Sequence, residues 1–238
     1  MNPAEFLDAA AKTWPPARLW REGPFLLRDG RGGGSRVSAA TAEDEWTGPD
    51  IAEAEAAMAG IGQPPLFMLR DGEVRLDAAL AERGYDLMDP VVGYAGSTGA
   101  MAKLRPPPVT TFEVWPPLAA QAEIWAEGGI GPGRRAVMDR APEPKVTILG
   151  RLDESPAATA FVAIHRGLAV VHAIEVRSAF RRRGLGTCIL RAAAFWARDR
   201  GAQDIGVLVT EANAGARALY EGLGMKAVAR YHYRRRVL

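Results

Sequence analysis

Val170-Val171-His172-Ala173-Ile174-Glu175-Val176, followed within a few residues by Arg181-Arg182-Arg183-Gly184-Leu185-Gly186, is the stretch that decides the fold. Its first part is largely apolar and β-branched, which predicts a strand. The arginines and glycines form a turn. From Leu185 to about Arg198 the spacing predicts a helix, with Leu185, Ile189, Ala192 or Ala193, and Trp196 on one face and Gly201 as its stop. A strand that turns through glycine into a helix leaves free N–H groups at the helix N-terminus, where a phosphate can sit. Gly184 can adopt positive φ, and neither Gly184 nor Gly186 carries a Cβ to block an anion. The N–H groups of residues 182 to 187, Thr187 included, would surround that anion. The helix dipole assists, and Arg181, Arg182 and Arg183 add charge.

Downstream, Ile205-Gly-Val-Leu-Val-Thr210 reads as a buried strand, so the helix before it is a right-handed crossover between parallel strands. Asn213 then opens a second helix with Ala216, Leu219, Tyr220 and Leu223 as its stripe and Gly224 as its stop; Val228 to Val237 returns as a strand. Upstream, Leu118–Glu127 has a helical pattern. Lys145–Leu152, Ala160–His165 and Leu168–Val176 read as successive strands, the last two joined at Arg166-Gly167. Small and proline-rich residues between Ser97 and Thr110 read as a linker, dividing the chain into residues 1–105 and 106–238.

The first half repeats the later order in weaker form. Arg36-Val-Ser-Ala-Ala reads as a strand, Pro49–Ala59 as a helix, Pro65–Leu69 as a strand, Leu76–Arg83 as a helix and Val91–Ala95 as part of a strand. Leu80-Ala-Glu-Arg-Gly84-Tyr85 matches Leu219-Tyr-Glu-Gly-Leu-Gly224-Met225 as helix end, glycine stop and bulky strand opener, which suggests a tandem duplication. The first copy has Glu43-Asp-Glu-Trp-Thr-Gly-Pro-Asp50 in place of the basic turn, an acidic segment unsuited to phosphate.

Composition sets the outer bounds. The chain has 238 residues, 48% of them hydrophobic, and a net charge of +2. That charge is too small to argue for nucleic acid, and aromatics are not interleaved with the arginines at 181–183. No apolar run reaches the roughly 20 residues that span a bilayer, and the N-terminus lacks a signal-peptide pattern. A cytoplasmic protein without a membrane partner is expected. Cys188 is the only cysteine, so no intrachain disulfide forms and no metal is expected; its place in the helix suits small-residue packing.

The spacing Arg181-x-x-Gly184-x-Gly186, after Ile174-Glu-Val176 and before Asn213-x-x-Ala216-x-x-Leu219-Tyr220-x-x-x-Gly224, resembles the GNAT acetyltransferase superfamily. The likeness spans Val171 to Tyr231. It implies an α/β GNAT fold: a mixed sheet with flanking helices and a V-shaped splay between the strands around 170–177 and 204–210, here in two GNAT-like halves. The first half would be degenerate and the second catalytic. It implies acetyl-CoA as co-substrate, with the pyrophosphate on the 181–187 loop and the pantetheine along Ile174, Glu175 and Val176 as an added strand. Asn213, Ala216 and Tyr220 would complete the cofactor site. Met225 stands where the family often has Phe and keeps the apolar contact.

For the reaction, the resemblance implies acetyl transfer to a primary amine by direct attack in a ternary complex, in a monomer or homodimer. The alternative is a non-catalytic CoA-binding sensor or interaction module. Tyr220 would protonate the departing thiolate, or else simply pack. Asn213 would cap its helix, reach the cofactor, or both. Glu175 is the candidate base, or the partner of Arg177 two residues on. His172 alternates onto the opposite strand face from Glu175 and would act through water or serve structure. Tyr231-His232-Tyr233 would line the acceptor pocket or pack. The acceptor amine itself is not legible.

Overall fold

A computed structural model describes residues 1–236; Val237, expected to end the last strand, lies outside the described residues. The elements run α1 (Pro3–Lys12), β1 (Arg18–Glu22), β2 (Phe25–Asp29), β3 (Thr41–Ala42), α2 (Gly48–Gly60), β4 (Leu66–Arg70), α3 (Val74–Glu82), β5 (Asp86–Ser97) and α4 (Thr98–Met101). They continue with β6 (Thr111–Val114), α5 (Ala119–Glu127), α6 (Pro132–Arg140), β7 (Lys145–Leu152), β8 (Ser155–His165), β9 (Leu168–Val176), α7 (Leu185–Arg198), β10 (Asp204–Thr210), α8 (Ala214–Gly222) and β11 (Lys226–Arg235). Strands β1, β2 and β3 form a small antiparallel sheet. The other eight form one mixed sheet in the order β4-β11-β5-β10-β9-β8-β7-β6, in which only β9 and β10 run parallel.

The middle of that sheet interleaves the two halves of the sequence. β11, from the end of the chain, lies between β4 and β5, while β5 lies between β11 and β10. The register is reciprocal. Asp86 opposes Arg235 and Ala95 opposes Lys226, with Val91 opposite Tyr231 between them. Likewise Leu66–Arg70 pairs with Arg235–Tyr231 as Gly206–Thr210 pairs with Ala95–Val91. The helix stops before β5 and β11 match as well. Gly84 and Gly224 have φ +80° and +79°, and the N–H groups of Tyr85 and Met225 donate back to Leu80 and Tyr220. That alignment puts Leu80 where the second half has Tyr220.

Helix α7 carries the main apolar load. Ile189 and Leu190 are fully buried, and side chains of this size contribute roughly 1.5–3 kcal/mol each when buried. On the other face Phe6 of α1 presses onto the sheet at Gly93 of β5 and Gly206 of β10. A Cβ there would lie 2.3 and 2.5 Å from its ring, so only glycines admit α1 over the seam between the halves.

Two expectations are corrected. Arg36–Ala40 is not a strand: Ser35–Val37 is a turn of 3₁₀ helix, and only Ala40 bridges, to Phe67. Ser38 and Ala39 donate their N–H groups to Ser35 and the Ser38 hydroxyl bonds Gly34, so local bonds take what a ladder would need. The segment after Ser97 is a linker only from about residue 103. Before that, α4 buries Thr98 and Met101, and the Thr98 hydroxyl bonds the carbonyl of Ala202 at 2.7 Å.

Candidate active site

The parallel ladder between β9 and β10 runs from Leu168 opposite Asp204 to Val171 opposite Val207 and stops there. β9 continues to Val176 paired only with β8, and Leu208–Thr210 pair only with β5. The expected splay is therefore present. Beyond it the chain makes a short 3₁₀ turn at Ser178–Phe180 and enters α7 through Gly184 at φ +82°. The N–H groups of residues 182–187 find no acceptor among the described residues, and no side chain caps the helix. Space around a Cβ at 184 is open, so glycine is required there by backbone angle. At Gly186 a Cβ would lie 3.0 Å from Leu219, so that glycine also admits α8 against α7.

The three arginines divide their roles. Arg183 is engaged by Asp153 at 2.6 and 3.0 Å, and Arg181 donates to the carbonyl of Val176. Arg182 is exposed at φ +64°. Helix α2 of the first half instead starts with an acidic residue: the carboxylate of Asp50 accepts from the N–H and hydroxyl of Thr47, both at 2.6 Å.

Tyr220 is buried on the α7 side of the sheet, its ring 5.8 Å from that of Tyr94. Burial pushes its hydroxyl up to about 12, so it remains a neutral donor. Asn213 caps α8 through its side-chain oxygen, bonded to Ala216 N–H at 3.1 Å. Cys188 is half-buried against the α7 core, and burial raises its thiol.

Strand β9 holds the main surprise. Ala173 takes φ +51° and creates a bulge, so that Phe161 opposes His172 but Thr159 opposes Glu175. Phe161 and Thr159 share a face, so His172 and Glu175 do too, contrary to simple alternation. Glu175 does not pair with Arg177, which is held by Glu127 at 2.9 Å; its nearest cation is Arg181 at 4.0 Å. Burial raises the Glu175 carboxyl, partly offset by Arg181 and Arg134.

His172 is fully interior. A guanidinium can only donate, so Arg36 Nη2 at 3.2 Å fixes Nδ1 as the acceptor. Nε2–H then donates to Thr13 Oγ1 at 2.9 Å, and that hydroxyl donates to the carbonyl of Ala9 at 2.7 Å. Burial first and Arg36 second hold this imidazole well below its usual value, so it stays neutral and is structural.

On the side of the sheet away from α7, the splay opens into a cavity of about 280 Å³. Arg36, Asp89, Arg134, Ala173, Thr210 and Tyr233 are among its lining residues. Tyr231 lines it as well, whereas His232 turns away to Asp77 at 2.7 Å. Arg36, Arg134 and Asp89 escape a reading of the sequence, because their neighbours lie more than a hundred residues away or on other elements. The run Gly30-Arg-Gly-Gly-Gly-Ser35 is the one local signal, since its loop is pressed against α6 at Gly133 and delivers Arg36.

The acetyltransferase (GNAT) family model matches residues 107–225. Across 94% of the chain and 95% of the relative, the sequence is 26% identical to YobR of Bacillus subtilis, an uncharacterized N-acetyltransferase. In fold it is similar to a GCN5-related N-acetyltransferase from Kribbella flavida (TM-score 0.72, 22% identity, 99% of this chain and 96% of that one). It is also similar to a tandem GNAT protein from the clavulanic acid biosynthesis pathway (TM-score 0.61, 14% identity, 88% and 76%). With a family match over half its length, a splayed parallel pair and a glycine-gated helix start, the chain belongs to the GNAT acetyltransferase family.

Proposed function

We propose that the protein transfers the acetyl group of acetyl-CoA to a primary amine by direct attack in a ternary complex. The observation that carries this is the splay: β9 beyond Val171 has a free backbone edge, it leads to unbonded N–H groups at the start of α7, and a separate cavity opens on the far side. In this reading the pyrophosphate rests on residues 182–187 and the pantetheine pairs with Ile174–Val176. The amine enters from the cavity. Its nitrogen attacks the thioester carbonyl carbon, the C–N bond forms and the C–S bond breaks. Tyr220 gives its proton to the leaving sulfur, and Glu175 takes the proton the amine must lose. Since Tyr220 stays neutral and the Glu175 carboxyl is raised, the two are suited to donor and acceptor roles respectively.

We also read residues 1–105 and 106–238 as diverged copies of one GNAT unit that have exchanged their last strands. The reciprocal register of β5 and β11 supports this. Only the second copy would bind acetyl-CoA, since Asp50 puts a negative charge in the first turn of the corresponding helix and Leu80 replaces the tyrosine.

Calorimetric titration of the whole chain with acetyl-CoA should give one site. Turnover against a panel of primary amines, read as released thiol, should identify acceptors. Two sites per chain would refute the assignment of a single site, and binding without turnover on any amine would leave only the CoA-binding role.

A further inference from the structure

We propose that the cavity in the splay accepts small amines that also bear a carboxylate, and that Arg36 is the residue that selects them. The inference rests on the acetyl-transfer reading and adds the class of acceptor to it.

Two cations and one carboxylate are among the lining residues: Arg36, Arg134 and Asp89. Neither guanidinium pairs with a carboxylate among the described residues, whereas Arg177 and Arg183 do. Nη1 of Arg36 is buried without a hydrogen-bond partner. A buried charged donor left unmatched is costly, and native interiors rarely keep one without a use. A carboxylate supplies what the site lacks, because the guanidinium fork binds its two oxygens together.

The rest of the site holds Arg36 in place. Its backbone is fixed in a 3₁₀ turn, its side chain lies 5.5 Å from the Trp14 ring, and His172 Nδ1 accepts from Nη2. Because His172 is itself fixed by Thr13, the guanidinium is oriented before any ligand arrives, so little freedom is lost on binding. The volume of about 280 Å³ is at or below the low end of small-molecule sites, which run from about 300 Å³ upward. That is room enough for an amino-acid-sized acceptor. Asp89, the carboxylate among the lining residues, provides negative potential for an ammonium group on entry.

The test uses the full chain, with and without saturating CoA. Binding is measured by calorimetry for N-acetyl derivatives of the common amino acids and of short ω-amino acids, each against its own carboxamide. At least one acid should bind about tenfold or more tightly than its carboxamide, the scale of a charge-assisted bond. Arg36→Gln should abolish that preference and Arg36→Lys should keep only part of it, both with unchanged CoA affinity. If no acid exceeds its carboxamide, or if the preference survives Arg36→Gln, the proposal is wrong. Normal CoA binding in those same samples would leave the acetyl-transfer reading standing, whereas loss of CoA binding in the wild-type protein would count against that reading instead.

Discussion

In the proposed reaction Tyr220 and Glu175 take different roles because their surroundings differ. Tyr220 lies in an apolar cluster that holds its hydroxyl at about 12. A donor so far from working pH transfers its proton less readily, so Tyr220→Phe should lower kcat toward the small end of the about 10²- to 10⁴-fold range for general acids. Acetyl-CoA affinity should hold, since the ring still packs on Tyr94. Steady-state kinetics beside calorimetry checks this, and an unaltered kcat would remove Tyr220 from the reaction. For Glu175 burial favours the protonated form, so it becomes a base only at a pH above that of an exposed glutamate. The kcat/KM for the amine should therefore climb through a raised acidic limb. Glu175→Gln should erase that limb, with the deficit shrinking at high pH as free amine accumulates. The same limb in the variant would assign the titration to the acceptor.

At the scale of elements, the turn into α7 is the most legible part of the molecule. Glycine at 184 is demanded by φ +82° in open space. A β-branched residue is a clear outlier there, and left-handed backbone costs a non-glycine residue roughly 1–2 kcal/mol. Gly184→Val should leave the circular dichroism spectrum intact and abolish acetyl-CoA binding in a titration; normal binding by a folded variant would show that the loop is misassigned. Helix α7 and its stripe were readable because their signals are local: apolar spacing, glycines and arginines in one run. Strand β9 was readable as a strand but not in its facing, because a bulge at Ala173 leaves no mark on the alternation of side chains. Arg36 was unreadable as a site residue, since its meaning depends on His172 of another element. The short 3₁₀ turn that carries it also mimics a strand in composition.

The whole molecule is tied together across its two halves. Asp77 of α3 accepts from Arg234 at 2.7 Å and from His232 at 2.7 Å, both on β11. Arg234 above all, and then His232, hold its carboxyl down to about 2 against an ordinary 3.8. A depressed carboxyl stabilises the fold above its unfolded value and loses that effect as pH falls through its folded value. Wild-type protein should thus exceed Asp77→Asn in urea stability at neutral pH, with the gap closing between pH about 4 and about 2. A gap constant through that window would show that the network adds nothing to stability. The matching helix stops at Gly84 and Gly224 were legible in the sequence, but the interleaving of β5 and β11 in one sheet was not, because pairing between them has no short-range signal. That interleaving also bears on how the protein is made. Strand β5, with Val91, Val92, Tyr94 and Ala95 in it, has as neighbours only β10 and β11, which the ribosome delivers long after it. During synthesis β5 therefore waits as an apolar strand open on both edges until these much later strands emerge and close it.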